Sequence, residues 1–310
     1  MNKIDFTPPM LHGVSASKAF LPADKDQVIQ TVFEYVCKHF PHILEQEWQQ
    51  RFANGLVYDS TGQVLTIHSL YRPNTHIFYY RFLAQETHIP FEHRILFENE
   101  HLLIVDKPHF LTMSPTGQYV QETLLVRLKN QTGIEQLSPV HRLDRETAGI
   151  VLLSKKTEVR HAYQTLFAKR QIQKTYHAIA PYHPALCFPQ TLNLCMEKGQ
   201  PFYTMRINPT GEPNSETWID CLEHNKTWAK YQLKPHTGKQ HQLRVHLNYL
   251  GIPIKDDPFY PTVQHKKEND FSAPLQLLAK HIQFTDPIDG QKISIQSTFD
   301  LDLSYQSNDK

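Results

Sequence analysis

Cysteine is scarce in this sequence, and long apolar runs are absent. The four cysteines (Cys37, Cys187, Cys195 and Cys221) are scattered and form no C-x-x-C pair. This spacing argues against a zinc ribbon and a disulfide framework, and it predicts reduced, mostly buried thiols. No apolar run has the length of a membrane span. The first six residues lack the apolar core of a signal peptide, so we expect a cytoplasmic protein.

Net charge is also small, at +1 over 310 residues, so the total charge gives no hint of a nucleic-acid partner. The distribution of charge is more informative, because between residues 127 and 174 ten bases face only four acids. A local positive field of this kind suits a polyanionic partner. The alternative is a solvated helix face, which is the commoner explanation for any one lysine cluster. The overall composition, 40% hydrophobic and 20% charged, is that of an ordinary globular protein.

The densest group of reactive side chains lies in residues 139–149, Pro-Val-His-Arg-Leu-Asp-Arg-Glu-Thr-Ala-Gly, which lead into the apolar run 150–153. So many charges beside a buried strand are costly unless they pair or take part in chemistry. Arg142 and Arg145 flank Asp144 and should keep that carboxylate ionised near neutral pH. The pattern predicts a charged carboxylate on a short turn at the mouth of a sheet. Taken alone, it fits a structural turn aspartate as well as a functional one.

The segment His-Arg-Leu-Asp-x-x-Thr-Ala-Gly, followed by an apolar strand, resembles the signature of the RluA-type pseudouridine synthases. Ala148 stands where that family usually has serine. The family's catalytic residue is the aspartate of this motif, so the resemblance assigns that role to Asp144. A second segment, Lys174-x-Tyr176, resembles the family motif whose tyrosine lies against the target base. By itself a strand tyrosine usually belongs to the core.

Residues 238–246 resemble the family's third motif, Gly-Arg-Thr-His-Gln-Ile-Arg-Val-His, with Lys-Gln in the place of Arg-Thr. Helical spacing places Arg244 at the border of an apolar helix face. From there it could reach Asp144 as a bidentate partner, as the matching arginine pairs with the catalytic aspartate in the family. A surface arginine is the alternative. His236, His241 and His246 lack the spacing of a helical zinc pair, so no metal is predicted.

Two further departures from the family pattern lie outside these three motifs. After Lys107-Pro108 the family usually continues Ala-Gly, whereas this chain has His109-Phe110. Lys107 could touch RNA, although a solvated lysine at a strand end is the simpler expectation. Asp256 replaces a family glycine, and the matching aspartate, Asp257, is expected to be structural in a turn.

The resemblance predicts an α+β fold, in which a pseudouridine synthase catalytic domain (89–310) has a long mixed, mostly antiparallel sheet with flanking helices. Residues 1–88 are expected to form an arm and a small α/β module with helices at Asp24–Phe40 and Leu44–Ala53. This module weakly resembles a ribosomal-protein-type RNA-binding domain. A scaffold role is equally compatible, because the second helix carries acidic residues rather than a basic stripe.

The resemblance implies that uridines within structured rRNA or tRNA are isomerised to pseudouridine. The bond to N1 is broken, the base turns, and C5 is joined to the same sugar carbon, so neither cofactor nor metal is required. Asp144 would act covalently or as a base at the sugar, and Tyr176 would stack on the flipped uracil. Arg142 would fill the vacated space and hold phosphate, and Arg244 would orient Asp144. A monomer is the default expectation.

Two other functions remain compatible with the sequence. One is an RNA-binding or assembly factor that keeps the fold without the chemistry, although an intact set of Asp, Tyr and Arg speaks against it. The other is a carboxylate-dependent glycosidase, which needs a second carboxylate within about 5–10 Å of the first. Glu146 and Asp257 are the candidates for that second carboxylate.

Overall fold

The computed structural model describes residues 6–24, 28–81, 86–267 and 269–305 and divides into two compact units. Unit 1 consists of Met1–Glu86 and Ser114–Glu135, and unit 2 consists of Thr87–Met113 and Gln136–Lys310. Residues 114–135, which the sequence assigned to the catalytic part, therefore group with the N-terminal residues. The predicted connector between the two domains runs from Ala84 to His88, and its first two residues lie outside the described residues.

The helices are α1 (Val32–His39), α2 (Glu45–Ala53), α3 (Leu124–Thr132), α4 (Thr157–Ala168) and α5 (Gln242–Tyr249). The strands of unit 1 are β1 (Ser17–Leu21), β2 (Val57–Asp59) and β3 (Thr75–Tyr79). The strands of unit 2 are β4 (Arg94–Glu98), β5 (Leu102–Lys107), β6 (Ser138–Pro139), β7 (Ala148–Ser154), β8 (Gln173–Pro181), β9 (Gln190–Leu194), β10 (Met196–Lys198), β11 (Met205–Ile207), β12 (Ser215–His224), β13 (Trp228–Pro235), β14 (Leu277–Thr285) and β15 (Lys292–Gln296).

Unit 1 is an antiparallel three-stranded sheet, in the order β1–β3–β2, with α1 and α2 sharing its core. Helix α1 begins later than predicted, because Thr31 and Glu34 form a capping box that fixes its N-terminus. Val28, taken from the sequence as part of its apolar face, precedes this cap and is exposed. In α2 the guanidinium of Arg51 is buried over the Trp48 ring at 4.8 Å. The basic group of α2 therefore belongs to the core and not to its surface.

Strand β2 pairs with β3 and also with the segment directly after it in the chain. The sequence predicted a hairpin between 56–58 and 64–67, and a short one forms: the Leu65 amide donates to the Val57 carbonyl at 2.8 Å, and Tyr58 and Val64 form an antiparallel bridge. The pairing of β2 with β3 is the more extensive of the two. The reason is that β3 supplies a longer run of buried apolar residues for β2 to pair with.

Unit 2 is built on a ten-stranded sheet in the order β4–β5–β7–β14–β8–β13–β12–β9, with β15 beside β14 and β6 beside β7. The β7–β14 pair is parallel, and the other pairs of this sheet are antiparallel. This confirms the predicted α+β class and the mixed, mostly antiparallel sheet. Strands β5 and β7 are buried along their whole length, as expected for near-continuous apolar runs inside a sheet.

The glycine that ends the first motif is required by the packing of β7 against β14. Gly149 has a φ of +110°, and a Cβ there would lie 2.3 Å from the backbone oxygen of Ala279. Only glycine tolerates both the backbone conformation and this close approach. Gly149 and Ala279 are partners in the parallel pairing of β7 with β14, so the motif glycine allows the strand that follows the Asp144 turn to pack against β14.

Helix α4 lies over the same strand, and its apolar residues Val159, Tyr163 and Leu166 join the core around β5 and β7. Its N-cap is Lys156, which makes no side-chain capping bond. The sequence predicted Thr157 as the cap, but the Thr157 amide and hydroxyl instead donate to Gln136 Oε1. No helix among the described residues has the length and apolar character needed to cross a membrane.

Candidate active site

The turn that carries Asp144 is held in place by the histidine at the start of its motif. His141 Nε2 accepts a hydrogen bond of 3.1 Å from the Leu152 amide of β7, and its ring stacks on Phe167 of α4 at 4.5 Å. Burial lowers the pKa of His141 to about 3, so the ring is neutral and can accept this bond. The Thr147 amide closes the turn on the carbonyl of Asp144 at 3.1 Å. The predicted position, a turn at the mouth of the sheet, is therefore confirmed for Asp144.

The Asp144 side chain lines a cleft of about 670 Å³ that lies entirely within unit 2. The cleft is lined by the Asp144 turn, the end of α4, the start of β8 and the segment that leads into α5. Asp144 is the one carboxylate among the described residues that line it. The cations that line it are Arg142, Arg170, Lys174, Lys239 and Arg244. This excess of positive charge around a single carboxylate favours a polyanionic ligand.

Arg244 is shared between two aspartates inside this cleft. Its Nε and Nη2 atoms donate to the two oxygens of Asp257 at 2.8 and 2.6 Å, and its Nη1 donates to Asp144 Oδ2 at 3.4 Å. The sequence predicted a bidentate bond to Asp144, but the bidentate partner is Asp257. The Arg244 and Asp257 side chains are 1% and 0% exposed, whereas that of Asp144 is 23% exposed. The buried pair thus leaves one nitrogen for the carboxylate that faces the cleft.

Asp257 itself is fixed by the turn in which it lies, as the sequence predicted. Its Oδ1 accepts from the amides of Phe259 and Tyr260 at 2.8 and 3.2 Å. The rings of the same two residues lie 4.9 and 5.3 Å from the guanidinium carbon of Arg244. Arg244 is therefore held by a carboxylate on one side and by aromatic faces on the other, so its position is set before any ligand binds.

His241 is a second group beside Asp144, and the sequence reasoning missed its place. It is the N-cap residue of α5 in a left-handed conformation, with a φ of +54°. Its Nε2 lies 3.7 Å from Asp144 Oδ2, and its Nδ1 lies 2.9 Å from the Tyr260 hydroxyl. Burial lowers the pKa of His241 to about 4, against the opposing effect of Asp144, so the ring is neutral at physiological pH. The histidine in the third motif was the available signal, but it was considered only as a zinc ligand.

Tyr176 reaches the cleft from β8, where it pairs with Ala279 of β14, which in turn pairs with Gly149 of β7. Three neighbouring strands thus bring the tyrosine close to the end of the Asp144 turn. The side chain is half-buried and lines the cleft. Burial, and then the negative charge of Asp144, raise the pKa of Tyr176. The phenol is therefore protonated at neutral pH and lies within electrostatic reach of the carboxylate.

The two arginines that flank Asp144 in sequence do not pair with its carboxylate. Arg145 donates to Glu146 at 2.8 Å, and Arg142 is exposed at the rim of the cleft. The groups facing the Asp144 carboxylate are Arg244 and His241 instead. Of the ten bases counted between residues 127 and 174, three line the cleft, whereas Lys155 and Lys156 pair with glutamates outside it.

Lys107 holds the back of the Asp144 turn rather than meeting solvent. Its ammonium donates to the carbonyls of Pro108, Leu111 and Arg145 at 2.9, 3.0 and 3.1 Å, and the side chain is completely buried. Burial lowers the pKa of Lys107 to about 7. Both sequence expectations for this residue, RNA contact and a solvated strand end, are wrong. Phe110, in the same loop, has a φ of +64° and thus keeps a glycine-like conformation where the family usually has glycine.

A family profile described as RNA pseudouridylate synthase matches residues 101–249 of this chain, which include all three motifs. The ribosomal large subunit pseudouridine synthase C of Vibrio cholerae is 34% identical over 220 residues, which cover 68% of this chain and 67% of that protein. The chain belongs to the RNA pseudouridylate synthase family. The resemblance to the RluA type seen in the sequence is thereby confirmed.

Other members of the family show how far the similarity extends. Human pseudouridylate synthase RPUSD2 is 33% identical over 174 residues, and this match covers 55% of the chain but only 31% of the human protein. The solved structure of human RNA Pseudouridylate Synthase Domain Containing 1 superposes with a TM-score of 0.54 at 23% identity, covering 66% of this chain and 82% of that one. This structural similarity shows the shared fold.

Proposed function

We propose that this protein converts specific uridines of structured RNA, in ribosomal or transfer RNA, to pseudouridine. The observation that carries the proposal is a cationic cleft in which a single lining carboxylate, Asp144, is held by the buried Arg244 and faces Tyr176. Family membership and the rRNA-directed name of the Vibrio cholerae relative support the same substrate class. Target uridines in stems must leave the base stack to react, at a cost of a few kcal/mol.

In this proposal Arg142, exposed at the rim, contacts phosphate and fills the space that the flipped nucleotide leaves. Tyr176 stacks on the uracil within the cleft. The Asp144 carboxylate acts at the sugar, where the bond between C1′ and N1 breaks. The uracil then turns, C5 bonds to C1′, the C5 proton is released, and N1 gains a proton. Reactant and product are isomers, so the residues of the cleft need only orient the base and stabilise charge.

Arg244 gives this reaction its fixed geometry. Because Asp257 holds two of its nitrogens, the third approaches Asp144 from a constant direction. When the Tyr260 hydroxyl donates to Nδ1 of the neutral His241, the ring proton is on Nε2, 3.7 Å from the same oxygen. This distance is beyond a hydrogen bond but places a polar N–H group beside the carboxylate. A carboxylate oriented in this way meets the sugar in a near-attack geometry.

The contacts of the other nearby carboxylates speak against a glycosidase. Such an enzyme needs a second carboxyl group that is free to act as acid or nucleophile. Both Asp257 oxygens accept from Arg244, and Glu146 accepts from Arg145. Neither of these two carboxylates lines the cleft.

Pseudouridine mapping of total RNA from cells with and without the gene tests the proposal. We expect one or more positions to lose pseudouridine in the deleted cells and to regain it when their RNA is treated with the purified protein. The positions found will also tell whether the target is ribosomal or transfer RNA. Identical maps from both cells, together with no product in the treated RNA, would contradict the proposal.

A further inference from the structure

The turn that joins β10 to β11 carries an aromatic side chain that the proposed reaction does not use. Phe202 is 78% exposed, the largest value among the exposed large hydrophobic residues of the described ranges. An exposed ring adds little to folding, because its stabilising effect comes from its removal from water. A single exposed hydrophobic residue is common and needs no explanation. The surroundings of Phe202 decide whether this residue has a function.

The turn itself is rigidly built. The Gly199 amide donates to the Thr204 carbonyl at 3.0 Å, and the amide and hydroxyl of Thr204 both donate to the Pro201 carbonyl, at 2.8 and 2.7 Å. These bonds order the segment on which Phe202 is displayed. A ring on an ordered turn loses less conformational entropy when it binds a ligand than a ring on a mobile loop.

The same turn is fastened to the rim of the cleft. Gln240, which lines the cleft, accepts from the Lys198 ammonium at 2.8 Å and donates to the Tyr203 carbonyl at 3.1 Å. This glutamine stands in the place of the threonine of the family's third motif. Phe202 is therefore held at a defined place beside the opening that leads to Asp144.

A continuous row of rings connects that place with the candidate active site. The centroid of Phe202 lies 5.6 Å from that of Tyr203, and Tyr203 lies 5.3 Å from Phe259. Phe259 in turn lies 5.5 Å from His241, whose Nε2 faces Asp144. The distance from the exposed ring to the reacting carboxylate is thus within the span of a few nucleotides.

The charges around Phe202 suit the binding of a phosphate backbone. Lys239, the neighbour of Gln240, is exposed and lines the cleft. The acidic group on this hairpin, Glu197, is engaged by Arg206 at 2.6 Å and by Asn208 at 3.1 Å. A cation beside an exposed ring is the combination by which proteins hold unpaired nucleotides, with stacking on the base and a charge on the phosphate.

We propose that Phe202 is a stacking platform for an unpaired base of the RNA substrate, a few nucleotides along the strand from the target uridine, with Lys239 on an adjoining phosphate. The platform is a second subsite, separate from the ring of Tyr176 in the cleft, and it rests on the proposed function for the identity of the ligand. Because any base has a face on which to stack, the platform favours single-stranded loops over stems and does not select one base.

Binding of a fluorescein-labelled single-stranded oligouridylate, measured at fixed salt with the full chain, tests this platform. Removal of one stacked base contact weakens binding about tenfold, within the range of about 5- to 150-fold that such contacts give. We expect this loss for Phe202→Ala and for Phe202→Leu, whereas Phe202→Trp binds within about twofold of the wild type. Tyr249→Ala is the matched control, because Tyr249 is an exposed aromatic residue that does not line the cleft, and we expect it to bind as the wild type does.

A blunt RNA duplex is the second probe, and Phe202→Ala should change its binding by less than about twofold, because a duplex offers no unpaired base. Unchanged oligouridylate binding by Phe202→Ala would overturn the platform, as would full recovery in Phe202→Leu, which would indicate apolar contact without stacking. The melting temperature of each variant checks that the fold is kept. If the wild type binds as expected but forms no pseudouridine in any RNA, the proposed function fails while the platform stands.

Discussion

Asp257→Asn tests whether the buried carboxylate positions Arg244 for its contact with Asp144. The substitution keeps an oxygen for the amides of Phe259 and Tyr260 but removes the negative charge that faces Arg244 at 2.6 and 2.8 Å. Breaking a fully buried ion pair on one side costs about 3–5 kcal/mol. We expect about 3 kcal/mol here, because Asp144 still compensates part of the charge.

This loss should lower the melting temperature by about 6–12 °C, given the 2–4 °C per kcal/mol of a folding unit of this size. The turnover number should fall about a hundredfold, the effect of a misplacement near 1 Å. Scanning calorimetry and single-turnover pseudouridine formation measure the two effects. Asp289→Asn, at an exposed turn aspartate, is the control and should change neither.

A second variant separates stability from positioning. Arg244→Met combined with Asp257→Asn removes both buried charges, keeps an oxygen for the amides of Phe259 and Tyr260, and should recover most of the melting temperature, yet remain inactive. A wild-type turnover number for Asp257→Asn would refute the idea that Asp257 sets the geometry of Arg244. Recovered activity in the double variant would refute any need for the guanidinium at Asp144.

Three further predictions follow from single contacts. Gly149→Ala should lower the free energy of unfolding by about 3 kcal/mol through overpacking and strain, because the added Cβ would meet the Ala279 backbone. Gly238→Ala is the control, since a Cβ there has open space and the variant should melt as the wild type does. Equal melting temperatures for the two variants would refute the close approach. Stability should fall as the pH falls from 6.5 to 4, because burial lowers the pKa of His246 to about 4, so that in this window the unfolded chain binds the proton and the folded chain does not. His246→Gln should reduce this slope in melting curves without removing it, because burial also lowers the pKa of His141 and His241. An unchanged slope would contradict the assignment. Arg142→Ala should weaken RNA binding and reduce the slope of log K against log salt by about one without changing the melting temperature; an unchanged salt dependence would exclude a phosphate contact.

The sequence was sufficient for the parts of the site that depend on local pattern. The turn before β7 followed from a dense charged motif leading into an apolar run. Alternation predicted the strand β8, whereas the role of Tyr176 came from the resemblance to the family's second motif. Arg244 was identified because the resemblance of the first and third motifs to the family implied that Asp144 and Arg244 pair. Its side chain is only 1% exposed, which is less than its place at the border of an apolar helix face suggested. The turn and the strand depend on periodicity and spacing, which are properties of short segments, whereas the roles of Tyr176 and Arg244 came from the family resemblance.

The partners of these residues could not be predicted from local pattern, because they are set by contacts between distant segments. Asp257 competes with Asp144 for Arg244, and only the folded turn at 257–260 shows which aspartate obtains the bidentate bond. Lys107 was interpreted as a solvated strand end, because its burial depends on how the loop at 108–111 folds back and on the carbonyl of the distant Arg145. His241 lies beside Asp144 because of a left-handed N-cap, which a non-glycine residue rarely adopts.

Asp144→Asn, assayed for RNA binding and for product in the same preparation, tests the central claim most directly. Asn keeps the size of the side chain and removes the carboxylate that acts at the sugar. We expect binding of RNA from gene-deleted cells within about threefold of the wild type, since the cations of the cleft supply most of the affinity, and no pseudouridine detectable by mass spectrometry. Normal product from this variant would contradict the assignment of Asp144 as the reacting group.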